Sequence, residues 1–241
     1  MNELKGTLKE QARVAGMFDR ISGKYDFLNC IFSAGIDRYW RREAVRSLGL
    51  QSGSRILDVA TGTAEMALEA CRQHPKAQLT GVDISEGMLE LGRQKIHRKG
   101  LADRIDLLFG AAESLPFKEG FFDAAMVAFG VRNFEDLSQG LREMLRVVRP
   151  GGKLVILEFS RPRESWFRKL FDFYFRRVMP WIGRKISSDR EAYQYLPDTV
   201  LHFPCGTDFL NIMQDCGYER LRARTLTFGL VTLYSGFRPL S

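Results

Sequence analysis

Four places in the chain combine residue types that could hold or transform a small ligand. LDVATGTAE (57–65) ends an apolar run in a glycine flanked by two hydroxyl residues. Gly62 gives the backbone a tight turn and a close approach to a ligand. Thr61 and Thr63 add hydroxyls where a helical pattern starts, and Asp58 places a carboxylate just before them. Alone, the segment is equally an ordinary strand-to-helix turn. GVDIS (81–85) closes the next apolar run, with Asp83 25 residues after Asp58. A carboxylate at such a strand end can accept hydrogen bonds from both hydroxyls of a ribose. Its other use, capping the next helix, already falls to Ser85. FGAAESLPF (109–117) offers small Ala111 and Ala112, which leave room for a flat adenine ring. AFGVRNF (128–134) places Arg132 and Asn133 after a further apolar run. A cation and an amide there suit a substrate oxygen on which negative charge develops. The competing use of Arg132 is a pair with an acid such as Asp136.

The first two motifs, in this order, favour a nucleoside-containing ligand. A dinucleotide fits poorly. Its pyrophosphate needs the close backbone approach of GxGxxG, whereas position 60 is Ala and positions 64–65 are Ala-Glu. Glu65 near a helix start also repels phosphate. A cationic nucleoside such as S-adenosylmethionine is more compatible, because its sulfonium and ammonium tolerate nearby acids, Asp58 included.

These residues need a frame that brings strand ends together. From residue 54 onward, short apolar runs alternate with helical periodicity. The runs are 54–60, 77–85, 104–110, 121–130 and 153–159. Between them, Ser85 caps a helix closed by Gly100, and Glu135 to Val148 carries a helical apolar face. Strands joined by single helices imply right-handed crossovers and a parallel sheet covered on both faces. TDFLNIMQDCG (207–217) reads as a capped helix ending in Gly217, and YERLRART with FGLVTLYSGF as a terminal hairpin of sheet-edge strands. The expectation is one α/β domain over 1–241: a doubly wound, mostly parallel sheet of seven strands, with an N-terminal helical cap (1–50) and a helical lid insertion (160–200).

Composition narrows the partners. The 241 residues are 45% hydrophobic and 27% charged, with a net charge of +7. That is an ordinary globular composition. No run reaches the roughly 18 uncharged apolar residues of a membrane span, and MNELKGTLKEQARVAG has no apolar core of a signal peptide. A cytoplasmic protein, free or on a membrane face, is expected. Cys30, Cys71, Cys205 and Cys216 form no CxxC pair, the three histidines have no metal-ligand spacing, and no metal is expected. The basicity is local. Residues 161–185 hold eight basic and two acidic residues, an excess of six that accounts for nearly the whole net charge. A spread nucleic-acid surface is therefore not expected. On a helical wheel, Arg168, Lys169 and Arg176 share one side of this segment, and Trp166, Phe167, Phe171 and Tyr174 lie on the other. This is either a lid packed on the domain or a helix that meets anionic lipid.

LDVATGTAEM, GVDISEGML, AESLPF, FFDAAMVAFGVRN and LREMLRVVRPGGKLVILEFSRP together resemble the S-adenosylmethionine-dependent C-methyltransferases of ubiquinone and menaquinone biosynthesis (UbiE/MenG family). MFDRISGKYDFLN, FSAGIDRYWRR, MPWIGRKISSDREAYQYLPDTV and TFGLVTLYSGF extend the resemblance over nearly the whole chain. It implies a Rossmann-like class I methyltransferase fold and methylation of a prenylated quinol, demethylmenaquinol first and the ubiquinone-pathway benzoquinol as the alternative. It also implies cofactor contacts from Thr63 and Asp83, with Ala111 and Ala112 at the adenine and Asp58, Gly62 and Ala128 around them. The family often has Ser where this chain has Ala128, and of its E/DxGxGxG glycines only Gly62 remains. The substrate side falls to Arg132 as oxyanion stabiliser, Asn133 as its orienting amide and Tyr25 as hydrogen-bond partner of the ring oxygen. A transient membrane-surface contact is expected, and a homodimer stays open.

Overall fold

The computed structural model describes residues 12–23, 33, 35–160, 162, 177, 195 and 199–240. Tyr25, most of the expected lid and most of the basic run 161–185 lie outside them. Residues 12–23 are helical (α1). Next come α2 (Asp37–Leu48), β1 (Arg55–Val59), α3 (Glu65–Gln73), β2 (Gln78–Asp83), α4 (Glu86–Arg98), β3 (Ile105–Phe109) and β4 (Phe122–Ala128). A 3-10 turn (Val131–Asn133), α5 (Leu137–Val147), β5 (Val148–Phe159), α6 (Thr207–Asp215), β6 (Glu219–Leu226) and β7 (Val231–Phe237) complete the order.

The seven strands form one sheet in the order β3-β2-β1-β4-β5-β7-β6. The first five pair in parallel; β7 runs antiparallel to both β5 and β6. This is the expected doubly wound sheet. Each parallel strand is an apolar run because helices cover both faces. One core lies under α2 and α3 around Trp40, Leu79 and Leu157, and the other under α5 and α6 around Phe122, Met144 and Tyr234. Ser85 caps α4 as expected, accepting from the Met88 N–H.

Two expectations need correction. β7 is not an edge strand; it lies between β5 and β6. The reason is visible in its residues: Val231, Thr232, Leu233 and Tyr234 are all buried, whereas β6 carries exposed Arg220, Arg222 and Arg224 and takes the edge, where charge discourages further pairing. α6 has no side-chain cap; Gly206 is its N-cap, and the Gly206 N–H donates to the Tyr234 hydroxyl at 2.8 Å.

The strand order reverses between β1 and β4. Chain leaving β1 goes on to β2 and β3 on one side, and β4 and β5 lie on the other. A crevice opens at the carboxyl ends of strands at such a point. The turn leaving β1 has an unusual backbone: Ala60, Gly62 and Ala64 take φ of 50°, 56° and 65°. Only glycine enters that region freely, and each alanine there is strained. Neighbouring glycines make room for the turn. A Cβ on Gly130 would lie 2.5 Å from the Ala60 Cβ, and one on Gly81 2.9 Å from the Thr61 side chain. Gly130→Ala should therefore cost about 1–3 kcal/mol by overpacking two backbone-borne carbons. Adding Ala60→Gly should recover part of that loss. Urea unfolding of both single variants and the double checks this, and additive losses would show that the contact relaxes elsewhere.

Candidate functional site

A cleft opens at this reversal point, at the carboxyl ends of the strands. Of the residues singled out from sequence, Gly62, Asp83, Ala112, Ala128 and Asn133 line it. Asp58, Thr63, Ala111 and Arg132 stand outside the lining, and Tyr25 is not described. Val14 and Phe18 of α1 line it as well, as do Glu113 and Glu135.

Asp83 anchors one wall. Its two carboxylate oxygens accept from the Gly62 N–H at 2.8 Å and the Ser85 N–H at 2.9 Å. The end of β2 is thereby tied to the turn after β1. Burial pushes the Asp83 carboxyl up to about 6, against the N–H groups of Ser85, Gly62 and Ile84, and Asp19 adds to the rise. Asp58 lies fully buried under the same turn, where one oxygen accepts from the Thr61 hydroxyl at 2.6 Å. Its Oδ1 has no hydrogen-bond partner among the described residues. Burial pushes this carboxyl up to about 7, with Thr61 opposing and Asp83 adding to the rise. Two buried acids side by side favour a ligand that brings positive charge.

α1 covers the cleft from above α4. Met17 and Ile21 pack on Met88. Asp19 Oδ1 accepts from the Ser85 hydroxyl at 2.5 Å and the Gly87 N–H at 2.9 Å, so a carboxylate meets the N-terminal end of α4. The helical spacing of Val14, Met17, Phe18 and Ile21 signals an apolar face, but nothing local says that α4 receives it.

The opposite wall is the corner after β4. Phe129 takes a φ of 57°, and its N–H donates to the Leu157 carbonyl at 2.8 Å. Trp40, Phe129 and Phe159 pack ring on ring, with centroids 4.7–6.2 Å apart. The Trp40 indole N–H is held by the Thr227 hydroxyl at 2.7 Å. Arg132 donates through Nη1 to the Phe129 carbonyl at 2.5 Å and to Glu158 at 2.7 Å. Both ion-pair side chains are almost wholly buried. Burial raises the Glu158 carboxyl, with the Arg132 charge opposing. Sequence proximity suggested Asp136 as the competing partner of Arg132. Asp136 instead caps α5, accepting from the Gln139 N–H, and the pair spans strands. Asn133 follows on the cleft side, where its Oδ1 accepts from the Tyr195 hydroxyl at 3.1 Å. Neither Glu158 nor Tyr195 was singled out from sequence. Glu158 is a charged residue inside the apolar run KLVILEF, which is the signal that could have found it.

Among the described residues, no group of three or more His, Cys, Asp or Glu is placed to hold a metal. The polar side chains lining the cleft are the carboxylates of Asp83, Glu113 and Glu135, and the Asn133 amide, which adjoins the buried Arg132–Glu158 pair in the chain. The first set can bind a cation and hydroxyls; the second can meet an oxygen that gains charge.

The pKa of Asp58 gives a prediction. The unfolded carboxyl titrates near ~3.9. The folded group, raised to about 7, binds more protons than the unfolded one between these values. Stability contributed by Asp58 is thus present at low pH and lost as pH rises towards 7. Asp58→Asn should melt a few degrees above the parent at pH 8, and the gap should close near pH 4. Equal melting at pH 8 would mean that the carboxylate charge is already compensated without ligand.

The matching family model is the ubiE/COQ5 methyltransferase family, over residues 5–238. The Geobacter sulfurreducens ubiquinone/menaquinone biosynthesis C-methyltransferase UbiE is 48% identical over 229 residues, covering 95% of this chain and 89% of that protein. The Bacteroides fragilis demethylmenaquinone methyltransferase is 44% identical, covering 94% and 93%. Two solved structures share the fold. The [4+2]-cyclase SpnF superposes with a TM-score of 0.73 at 19% identity, covering 96% of this chain and 97% of its own. A SAM-dependent methyltransferase from Aquifex aeolicus gives 0.61 at 17%, covering 82% and 89%. That one of these is a cyclase shows why fold alone does not assign chemistry. The sequence match does what the fold cannot: the chain belongs to the ubiE/COQ5 methyltransferase family and is a C-methyltransferase of that type.

Proposed function

We propose that this chain transfers a methyl group from S-adenosylmethionine to a ring carbon of a demethylated prenyl quinol, with demethylmenaquinol as the substrate. The observation that carries the reading is the Asp83 carboxylate, which lines the cleft while two backbone N–H groups hold its oxygens in place. A carboxylate so fixed suits a ribose, and the buried Asp58 behind it suits a cationic ligand. The names of the relatives, demethylmenaquinone methyltransferase among them, support the quinol. Methylation of the benzoquinol of the ubiquinone pathway is the second reading, supported by the double name of the more similar relative.

S-adenosylmethionine supplies an electrophilic methyl group on a sulfonium. The protein side of the reaction is alignment and charge. Asp83 and Gly62 orient the nucleoside, Thr63 supports the turn, and Ala112 and Ala128 leave flat space in the cleft, with Ala111 beside Ala112 just outside its lining. Fixing the two reactants in line is worth several kcal/mol. The quinol hydroxyl must lose its proton for the ring carbon to become nucleophilic. Asn133, which lines the cleft, meets that oxygen, and Arg132 is the next residue back in the chain, buried and paired with Glu158. A guanidinium does not act as the base, because its pKa exceeds ~12. Tyr25 is assigned as a hydrogen-bond partner of the ring oxygen, from sequence alone.

The basic segment 161–185 belongs to the same proposal. A prenyl quinol dissolves in membrane, and an excess of six positive charges beside aromatic residues suits an anionic bilayer surface. No helix among the described residues is long and apolar enough to cross a membrane.

Labelled S-adenosylmethionine incubated with each demethylated quinol tests the reaction. Two variants separate binding from chemistry. Asp83→Asn should weaken S-adenosylmethionine binding by about 10-fold or more in calorimetry, since hydrogen bonds to a charged acceptor contribute roughly 1.5–3 kcal/mol each. Unlike Asp83→Ala it keeps one oxygen to accept from Gly62 or Ser85, but its amide NH2 cannot accept from the other N–H, so a melting curve of the variant accompanies the titration. The double variant Arg132→Gln/Glu158→Gln keeps a hydrogen-bonded pair and removes both charges. It should lower turnover with cofactor affinity held. Near-normal turnover would make the pair a structural brace. For the membrane, Arg168, Lys169 and Arg176 replaced by Gln should lower binding to anionic vesicles and activity on long-tailed quinols, sparing a short-tailed one. Equal loss of both activities would make the segment a packed lid.

A further inference from the structure

Asn133 has one acceptor and one donor group on its side chain, and only one of them can face the cleft at a time. The Tyr195 hydroxyl decides which. It donates to Asn133 Oδ1 at 3.1 Å from 62 residues further along the chain. The Tyr195 ring packs against the Met17, Ile21 and Met88 cluster. Its carbonyl accepts from the Thr199 hydroxyl at 3.0 Å. The hydroxyl is therefore held in place by both packing and backbone. With Oδ1 committed to it, the amide Nδ2 points away from Tyr195, and no described residue accepts a hydrogen bond from it. We infer that Tyr195 is a positioning residue, which turns the Asn133 amide so that the cleft meets a donor, and so selects the ionised ring oxygen over the hydroxyl.

The selection follows from hydrogen-bond chemistry and rests on the quinol reading above. A neutral hydroxyl both donates and accepts, and an amide free to flip serves either form. An oxyanion only accepts. A donor fixed in advance binds it through a charge-assisted bond, about twice as strong as a neutral one, with no reorganisation during reaction. The hydroxyl proton passes to water, and neither Tyr195 nor Asn133 changes protonation. Loss of the tyrosine hydroxyl frees the amide to turn its acceptor to the cleft, which weakens ionisation of the substrate and leaves the cofactor side untouched.

Tyr195→Phe removes only the hydroxyl from a ring that stays packed. With a short-tailed demethylated quinol, kcat should fall about 10-fold while melting temperature and S-adenosylmethionine affinity hold. The acid limb of the kcat–pH profile should move about one unit to higher pH, the same tenfold factor read as an ionisation constant. In an Asn133→Ala background, Tyr195→Phe should cost nothing more. Asn133→Asp, which presents only acceptors, should be as slow as Asn133→Ala. An unmoved pH profile, additive losses in the double variant, or an active Asn133→Asp would each overturn the inference. Turnover by the parent with no effect of Tyr195→Phe defeats this inference alone, whereas a parent that methylates no quinol defeats the functional reading. The orientation is also read without turnover. The Asn133 side-chain amide resonance should shift on Tyr195→Phe, and an unchanged resonance would overturn the inference in either case.

Discussion

The site depends on one backbone constraint: three alternate residues after β1 must turn left-handed within five positions. That geometry bends the chain sharply enough to bring the Gly62 N–H to Asp83, which closes the turn onto the end of β2. Glycine meets the requirement in the middle only, and alanine bears it on both sides. The cost is met by space elsewhere. Gly130 leaves room for the Ala60 Cβ, Gly81 for Thr61, and Gly92 for the Ala64 Cβ. The turn is thus specified by β2, α4 and the corner after β4 as much as by its own residues. Such over-determination is what allows strained backbone to persist at a site.

The corner after β4 solves a similar problem with different materials. Phe129 is left-handed and not glycine, and its ring is wedged against Trp40 and Phe159. The Arg132–Glu158 pair ties the corner to β5. A buried pair of this kind contributes little net stability, because desolvation offsets attraction. It also fastens the 3-10 turn that carries Asn133 to the sheet, through Phe129 and Glu158. Asp58 is the converse case, a buried carboxylate oxygen with no partner among the described residues. An unliganded protein keeps such a group at a cost in stability, which a cationic ligand would reduce.

Strand ends, the helix cap at Ser85 and the place of Asp83 in the cleft were legible because each is a local signal: an apolar run, a polar residue at its end, a helix pattern beyond. The left-handed alanines were not, since alanine does not advertise a positive φ as glycine does. Nor was the partner of Arg132. Asp136 was nearer in sequence, but it was needed to cap α5, and Glu158 lies 26 residues away across a strand pair. Tyr195 was visible as a motif residue with no role, because its contact with Asn133 forms only when the chain returns to the cleft. The interior placement of β7 could have been read from its apolar residues against the charges of β6. Order along the chain, where β7 comes last, pointed the wrong way.

That order matters while the protein is being made. β5 is buried on both flanks in the finished sheet, by β4 on one side and β7 on the other. β7 leaves the ribosome only after residues 160–230 have been synthesised, so the apolar edge of β5 waits unpaired through all of that interval. The cleft-bearing half, β1 to β4, can assemble early on its own connections. The nascent chain then carries a nearly complete binding crevice beside an open sheet edge, and an exposed edge is where chains pair wrongly with one another. A pause in translation within 160–230 would therefore threaten solubility more than one earlier in the chain, and the pairing at risk lies only one strand beyond the β4 end that lines the crevice.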